Sequence, residues 1–365
     1  MNDHFLKRDI SDAIKGVALI MMFVHHFYTW PEWYVSGISY PELQSFARYL
    51  NYPLKACVPM FAFLTGYFYH FAGQKTLRYS LRKITDLLIS HSAVCLALMI
   101  PALALGVFHP TPAAVATELI GMGTEVMRFS WYVSFYCLSM LLLPVLVKLS
   151  AGNPGGDLLI MLVLPAVAAN TVIAAIQEHL PGNLTMLTGI LSSVWEWFPV
   201  VISGYLSAKY RLFETYLDEV SARFSSGWGK VCFWLCLCAV GFAGRLALPR
   251  FALGSIQPSG RWVELELLMD VLYAPLFVYG LARLLQQMKY PRFLGVLGNL
   301  GRQSLYMWFF HAVFFNCLRE YTQPLIYAPK NPVLVILLSL AVCYVLAVAS
   351  EKMIDPLLKW KRKVL

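Results

Sequence analysis

Residues 84–108 read ITDLLISHSAVCLALMIPALALGVF, a stretch in which Asp86 is the one formally charged side chain. A helix needs about 20 consecutive apolar residues to cross the hydrocarbon core of a bilayer. Nine other stretches have a similar character, and Pro, Gly and charged residues separate them. The sequence therefore predicts an all-α, polytopic integral membrane protein with about ten transmembrane helices. The predicted spans are residues 12–30, 53–72, 84–108, 131–149, 157–177, 186–208, 230–248, 264–284, 303–319 and 332–350.

The composition of the whole chain agrees with this prediction. Of the 365 residues, 59% are hydrophobic and 13% are charged, and the mean hydropathy is +0.61. A soluble domain carries about 25% charged residues, so this chain has too few to cover a water-exposed surface. A soluble enzyme, a disordered chain and a secreted disulfide scaffold are disfavoured. We expect a single transmembrane domain over residues 1–365, with no appended soluble domain.

The basic residues predict the orientation of the chain. The formal net charge is +9, with 29 Lys and Arg against 20 Asp and Glu. Cytoplasmic loops of membrane proteins are enriched in Lys and Arg. With the N-terminus inside, ten spans place 21 of the 29 cations on the cytoplasmic side. Both termini are therefore predicted to be cytoplasmic, and the basic balance indicates membrane topology rather than a nucleic-acid partner.

The first predicted helix carries ionisable side chains on one face. Lys15 and His26 are 11 residues apart, which on a helix is about 20° from the same face and about 16 Å along the axis. Asp12 lies near Lys15 at i,i+3 spacing. An ionisable group within a span is a functional hypothesis by default. The alternative for the His25–His26 pair is packing in an aromatic belt beside Trp30, which explains His25 better than His26.

Residues 12–26, DAIKGVALIMMFVHH, resemble the opening helix of the membrane acyltransferase-3 family. That family has Asp-x-x-(Arg/Lys)-(Gly/Ala), an apolar run and then His, with ten residues between the cation and the His; Lys15 and His26 match this spacing. Four later segments are similar in order and spacing. They are PMFAFLTGYF (59–68), WYV (131–133), FPVVISGYL (198–206) and SLYMWFFH (304–311).

Three positions depart from the family pattern. Trp308 occupies the position where the family usually has Tyr, and Tyr306, two residues earlier, faces elsewhere on the helix. After the second span the family often has a basic cluster followed by Arg or Lys, Leu, two apolar residues and Pro. Asp86 and Ser90 stand at the later Arg and Pro positions. These departures concern the contacts with the acyl donor rather than the class of protein.

The resemblance implies transfer of an acyl group, usually acetyl, from acyl-CoA to a hydroxyl of a cell-envelope carbohydrate at the cell inner membrane. Its partners are then acyl-CoA, the lipid bilayer, and an envelope polysaccharide or lipid-linked sugar, with no metal. The resemblance does not decide between acetyl and succinyl as the acyl group, and it does not identify the acceptor. His26 is the candidate general base, because an imidazole can take the proton of a sugar hydroxyl near neutral pH.

Several other residues are candidates for the site. Glu196 and His311 are further catalytic candidates, although a core histidine explains His311 equally well. Glu264, Glu266 and Asp270 either orient His26 or the acceptor, or form a solvated helix start. The phosphates of coenzyme A are anionic and bind Lys and Arg. The predicted donor-binding residues are Lys15, Lys75, Arg78, Arg82 and Lys83, for which topology alone is an equally good explanation.

Two other classes of function fit a membrane chain of this kind. A secondary transporter or flippase for an envelope precursor would use buried His and Glu side chains for proton coupling. Transporters typically have repeated halves with paired interrupted helices, and the sequence has no such pairing. A membrane scaffold or sensor would leave the buried ionisable residues without a role. The sequence therefore favours the acyltransferase.

Overall fold

The computed structural model describes residues 5–30, 34–35, 37–38, 53–123, 125–163, 185–255 and 265–364. In these ranges the chain forms helices and turns and contains no strand. The α-helices are α1 (Arg8–Tyr28), α2 (Cys57–His70), α3 (Leu77–Ala104), α4 (Pro112–Leu119), α5 (Trp131–Lys148), α6 (Pro154–Asp157), α7 (Thr185–Lys209), α8 (Asp218–Ala222), α9 (Gly227–Ser255), α10 (Leu265–Gln287), α11 (Pro291–Arg302), α12 (Ser304–His311), α13 (Arg319–Tyr327) and α14 (Pro332–Val364). Shorter π-helical turns occupy Leu158–Val163 and Phe213–Leu217, and Ala312–Phe314 is a 3₁₀ turn.

Five helices of the described ranges are long and apolar enough to cross a membrane. They are Arg8–Tyr28, Leu77–Ala104, Trp131–Lys148, Gly227–Arg245 and Pro332–Lys363. The predicted all-helical membrane architecture is therefore confirmed for this part of the chain. The number of ten spans and the cytoplasmic placement of both termini stay predictions. Most of the fifth predicted span, residues 157–177, lies outside the described residues.

The chain divides into two compact units. The first consists of Met1–Met21, Tyr52–Leu77 and Leu141–Gly301, and the second of Met22–Asn51, Arg78–Met140 and Arg302–Leu365. The boundary at Met21 falls within α1, which is a single continuous helix. Each unit has its own packed interior, and the single domain over residues 1–365 stays a prediction.

Two pairs of helices in the first unit meet with their backbones in contact. A Cβ atom at Gly66 of α2 would overlap the carbonyl oxygen of Val201, and one at Gly204 of α7 would overlap that of Phe63. The first turns of α1 approach α11 equally closely, because a Cβ at Gly16 would overlap the Leu297 carbonyl. Small residues permit such close helix packing where lipid surrounds the bundle. This explains the glycine that follows Lys15.

A buried carboxylate also organises the first unit. Asp157 ends α6 and is fully inaccessible to solvent. It accepts hydrogen bonds from the backbone N–H of Ala151 at 2.7 Å, from the Tyr210 hydroxyl at 2.7 Å and from the Ser150 hydroxyl. It also forms an ion pair with Lys209 at the end of α7. We call these five residues the Asp157 cluster; they tie the loop before α6 to the end of α7.

The second unit combines the last turns of α1 with α3, α4, the first half of α5 and α12–α14. Helix α12 packs on α14, and α13 packs on the turn at Ala312–Phe314 and on α14. At 1.5 Å per residue, the 33 residues of α14 span about 50 Å, more than the roughly 30 Å of a hydrocarbon core. The basic end of α14 is held by α3: Lys361 Nζ is 2.9 Å from Asp86 Oδ1.

The ninth predicted span, residues 303–319, is not one continuous helix. Helix α12 ends at His311, and the chain then tightens into the 3₁₀ turn. The N–H of Ala312 bonds to the carbonyls of Phe309 and Phe310 rather than to that of Trp308. The last carbonyls of a helix lack partners within it and need other donors. The Trp308 carbonyl is one of these, and its donor lies in the site.

Candidate active site

Two histidines from distant parts of the sequence meet in the second unit. His26 lies near the end of α1 and His311 is the last residue of α12. His26 Nδ1 is 2.8 Å from His311 Nε2, and the two ring planes are 9° apart. His311 is fully buried and His26 is half-buried. The structure thus brings together two of the three side chains that the sequence singled out as catalytic candidates.

The hydrogen bonds of the pair determine which nitrogens carry protons. His311 Nδ1 bonds to the main-chain carbonyl of Trp308, and a carbonyl only accepts, so His311 Nδ1 carries a proton. In a neutral imidazole the other nitrogen is then an acceptor, so His311 Nε2 accepts the Nδ1–H of His26. This arrangement leaves the lone pair of His26 on Nε2. His26 can therefore act as a base through Nε2.

Aromatic rings surround the histidine pair. Phe129 lies over both imidazoles, with ring centroids 4.4 Å from His26 and 5.0 Å from His311 and interplanar angles of 9° and 16°. Phe315 approaches His26 edge-on at 6.3 Å, and Phe23 lies 5.8 Å from His311. Phe129 is 8% exposed. The pair is therefore covered on one face by an apolar wall that keeps water away from the bond between the imidazoles.

His25 has different surroundings from its neighbour. Its Nδ1 is 3.4 Å from the hydroxyl of Thr29, one helical turn away, and the indole N–H of Trp30 lies 3.4 Å from its Nε2. These are local contacts within the end of α1 and the residues that follow. They agree with the interfacial packing that the sequence suggested for His25. His26 bonds to His311 of a second helix.

The predicted donor-binding cations fall in both units. Arg78, Arg82 and Lys83 lie in the first turns of α3, in the second unit, where Arg82 and Lys83 flank the ring of Tyr79 at 5.7 and 5.8 Å. Lys75, in the loop before α3, belongs to the first unit.

Lys15 also belongs to the first unit, where its Nζ is 3.0 Å from Asp12 Oδ1. This is the pairing expected from their spacing on the helix.

Lys361 and Arg362 were missed by the sequence analysis. Lys361 binds the Arg82 carbonyl at 3.2 Å and Asp86 at 2.9 Å, and Arg362 reaches the same carboxylate at 3.3 Å. The one available signal was Asp86 itself, an acidic residue at a position that is basic in the family pattern. Its carboxylate holds the end of α14 against the basic turns of α3.

Of the remaining carboxylate candidates, the structure describes the side chain of Asp270. Asp270 pairs with Arg245 in the first unit, where both side chains are buried. Glu264 lies outside the described residues, as do the side chains of Glu196 and Glu266. The hydrogen bonds described for the pair join His26 to His311 and His311 to the Trp308 carbonyl.

The positions that depart from the family pattern belong to the second unit. The hydroxyl of Tyr306, which precedes Trp308 by two residues, is 3.2 Å from the hydroxyl of Ser90, the residue at the family's Pro position. Trp308 contributes its carbonyl to His311, a contact that any residue at this position can make. Its indole ring packs edge-on against Tyr132, 5.6 Å away. The missing Tyr hydroxyl therefore leaves the histidine pair intact.

Comparison with known proteins agrees with the resemblance read from the first helix. No curated protein and no solved structure matches the chain. Residues 9–351 match the family model of an acyltransferase domain, Acyl_transf_3, which covers nearly the whole sequence, including α1 and the histidine pair. A match of this extent, together with the apolar helices, identifies a membrane acyltransferase: the chain belongs to the acyltransferase-3 family.

Proposed function

We propose that this protein moves an acyl group, usually acetyl in such a reaction, from acyl-CoA to a hydroxyl of a cell-envelope carbohydrate, with His26 as the general base. The observation that carries the proposal is the hydrogen bond from His26 Nδ1 to His311 Nε2, with His311 Nδ1 bonded to the Trp308 carbonyl. This chain of bonds orients His26 and selects the tautomer that is basic at Nε2. A base oriented by a second group is the arrangement that activates hydroxyl nucleophiles.

The proposed reaction consists of two proton transfers around one acyl transfer. His26 Nε2 takes the proton of the acceptor hydroxyl while the hydroxyl oxygen forms a bond to the thioester carbonyl carbon. The tetrahedral intermediate then collapses, the carbon–sulfur bond breaks, and His26 returns the proton to the departing sulfur. The products are an ester and the free thiol of coenzyme A. His311 Nε2 accepts a hydrogen bond from His26 throughout, which stabilises the imidazolium formed between the two steps.

For the acyl donor we propose contact with the basic turns of α3. Arg78 and Arg82 are exposed and Lys83 is half-buried, so these side chains are accessible to the phosphates of coenzyme A. Charge-assisted bonds to phosphate are stronger than neutral hydrogen bonds. Lys361 and Arg362 neutralise Asp86, the acidic residue that would otherwise repel the phosphates. Contributions of Lys15 and Lys75 stay predictions.

The proposed donor is cytosolic and the proposed acceptor belongs to the envelope. We therefore propose that the protein lies in the cell inner membrane.

The test uses the purified full chain in lipid nanodiscs with radiolabelled acetyl-CoA and a panel of hydroxyl acceptors. We expect acceptor-dependent release of the free thiol, and a loss of about 10²–10⁴-fold in kcat for His26→Ala, the usual contribution of a general base. His25→Gln is the matched control, because the hydrogen-bond contacts described for the His25 ring are with Thr29 and Trp30, and it is expected to keep nearly full activity. Wild-type activity in His26→Ala would refute the proposed role of His26.

A transporter predicts a different outcome in the same nanodiscs. It would release no free thiol with any acceptor. Transfer of label to one class of acceptor and not to the others would identify the acceptor chemistry.

A further inference from the structure

A buried carboxylate lies at the base of the loop that carries Phe129. Glu118 is the next-to-last residue of α4 and is 2% exposed. Its Oε1 accepts the backbone N–H groups of Glu125 at 2.7 Å and Val126 at 3.0 Å, and its Oε2 accepts that of Met127 at 2.9 Å. Three consecutive backbone donors therefore point at one carboxylate. The bonds to the N–H groups of Val126 and Met127 are buried, and buried backbone N–H groups need an acceptor, so this loop conformation depends on Glu118.

The loop is shaped to fit that carboxylate. A Cβ atom at Gly123 would overlap the carboxyl group of Glu118, so a glycine is required there. The Ser130 hydroxyl donates to the Gly123 carbonyl at 3.1 Å, and the Ser134 hydroxyl donates to the Gly121 carbonyl at 2.8 Å. These two bonds join the loop to the first turn of α5. Residues 121–123 and 125–130 therefore form one hydrogen-bonded unit around Glu118, which we call the Glu118 loop.

The Glu118 loop is joined to the chain that follows His311. The Asn316 side-chain amide donates to the Val126 carbonyl at 2.6 Å, and the N–H of Cys317 donates to the Glu125 carbonyl at 3.1 Å. Arg128 Nη1 lies 3.3 Å from the Phe315 carbonyl. Because Glu118 binds the N–H groups of residues whose carbonyls accept these bonds, one carboxylate orders both segments.

Phe129 links the Glu118 loop to the histidine pair. It follows Met127 by two residues and lies nearly parallel to both imidazoles. The lone pair of an imidazole nitrogen lies in the plane of the ring, so an N–H from a coplanar ring meets it in line, where hydrogen bonds are strongest. The Phe129 ring covers both imidazoles at once and therefore holds them in the coplanar arrangement that the bond between His26 and His311 needs.

We infer that Glu118 is a positioning residue for the acyl-transfer reaction: it fixes the Glu118 loop, which holds Phe129 against the coplanar His26–His311 pair. The inference rests on the proposed role of His26 for its effect on catalysis. Its effect on the geometry of the histidine pair does not depend on the reaction. The carboxylate acts from a distance, through the backbone of residues 125–127, and makes no contact with the reacting atoms itself.

The test replaces Glu118 by Gln in the full chain in nanodiscs. A glutamine amide has one acceptor oxygen, so its nitrogen faces a backbone N–H and at least one of the three bonds is lost. We expect kcat to fall between about tenfold and a hundredfold, the effect of a sub-ångström displacement of catalytic groups, with the KM for acetyl-CoA unchanged. We also expect the acid limb of the pH–rate profile to shift, because the hydrogen bond that supports protonated His26 is weakened.

A second readout does not need the reaction. Diethyl pyrocarbonate acylates unprotonated imidazole nitrogens, and mass spectrometry of the peptides locates the modified histidine. We expect His26 to be modified several-fold faster in Glu118→Gln than in the wild type. Asp157→Asn is the matched control, because Asp157 is also a buried carboxylate that accepts backbone N–H bonds. It is expected to leave both the labelling of His26 and the pH profile unchanged.

Substitutions of Phe129 separate positioning from general loss of structure. Phe129→Tyr keeps the flat ring and is expected to retain wild-type labelling of His26, whereas Phe129→Leu is expected to reproduce the effect of Glu118→Gln. Wild-type labelling and wild-type kcat in Glu118→Gln would overturn the inference, as would equal effects from Asp157→Asn. If His26→Ala kept full activity, the proposed function would fail while the labelling experiment would still test the role of Glu118.

Discussion

Among the described residues, the buried carboxylates of Asp157 and Glu118 each organise a loop, and their partners differ. In the first unit Asp157 accepts backbone N–H bonds and also receives the ammonium of Lys209 and the hydroxyl of Tyr210. In the second unit Glu118 receives three backbone N–H groups, and within the described ranges no cation pairs with it. A counter-ion stabilises the buried carboxylate of Asp157, whereas backbone N–H groups stabilise that of Glu118.

The difference shows how a buried carboxylate can be structural or can serve a reactive site. In the Asp157 cluster, the ion pair between Lys209 and Asp157 joins the loop before α6 to the end of α7. The N–H groups that bind Glu118 belong to the backbone of residues 125–127, two to four residues before Phe129. The Glu118 carboxylate therefore acts on the position of Phe129, which lies over the histidine pair.

The largest expected effect concerns the bond between His26 and His311. We expect His311→Ala to lower kcat by about 10²–10⁴-fold, because His26 loses the acceptor that selects its tautomer. The KM for acetyl-CoA is expected to stay unchanged, and His311→Gln, which keeps an acceptor oxygen, is expected to recover part of the loss. Steady-state release of free thiol measures both. Equal activity of His311→Phe and the wild type would show that the bond between the histidines is dispensable.

A substitution in the Asp157 cluster is expected to lower the stability of the fold and to leave kcat unchanged. Breaking one partner of a buried ion pair leaves an uncompensated charge, so we expect Asp157→Asn to lower the free energy of unfolding by about 2–4 kcal/mol. Thermal unfolding in detergent measures the change. Below the unfolding transition, kcat is expected to equal that of the wild type. A reduced kcat with normal stability would mean that the Asp157 cluster also serves the reaction.

This destabilisation has a defined pH dependence. Burial by itself would raise the pKa of Asp157, which lies outside the five spans, but the hydrogen bonds from Lys209, Tyr210 and Ser150 outweigh it and lower the pKa to about 2. Because the folded pKa is below the unfolded value, the contribution is complete above the unfolded pKa and is lost as the pH falls toward 2. The stability difference between wild type and Asp157→Asn is therefore expected to be constant from about pH 8 to pH 5.

The smallest expected effect concerns the fit of the Glu118 loop. The Cβ of Gly123→Ala would overlap the Glu118 carboxyl group, and overpacking costs about 1–3 kcal/mol. We expect that loss in the free energy of unfolding and a fall in kcat of about tenfold or less, from the same displacement of Phe129. Gly155→Ala is the matched control beside Asp157, because its Cβ would meet only the Asn153 side chain at 3.9 Å. Equal effects of the two substitutions would contradict the required fit at Gly123.

The first helix and its residues were predictable because their information is local. The stretch from Asp12 to His26 has the spacing of one helical face, and α1 runs unbroken from Arg8 to Tyr28. The i,i+3 pair of Asp12 and Lys15 follows from the same periodicity. His311 was a candidate from its motif, but its contact with His26, 285 positions away, depends on how α12 packs in the second unit.

Glu118 and Phe129 had no signal in the sequence. Glu118 is one acidic residue in a short helix between two apolar stretches, and Phe129 is one of 23 phenylalanines. Their roles arise from contacts with backbone atoms and rings that any sequence contains. Asp86 could be recognised as a departure from the family pattern, but its partners Lys361 and Arg362 lie 275 and 276 positions away.

By itself the sequence determined the membrane class, the helical segments and the face of α1 that carries His26. Hydropathy and helical periodicity are properties of neighbouring residues, so one sequence is enough to read them. Only the tertiary structure decided which nitrogen of His26 is basic and what holds it in place. A tautomer depends on a hydrogen-bond partner within about 3 Å, and here that partner is fixed by the end of α12 and by the Trp308 carbonyl that the helix leaves unbonded.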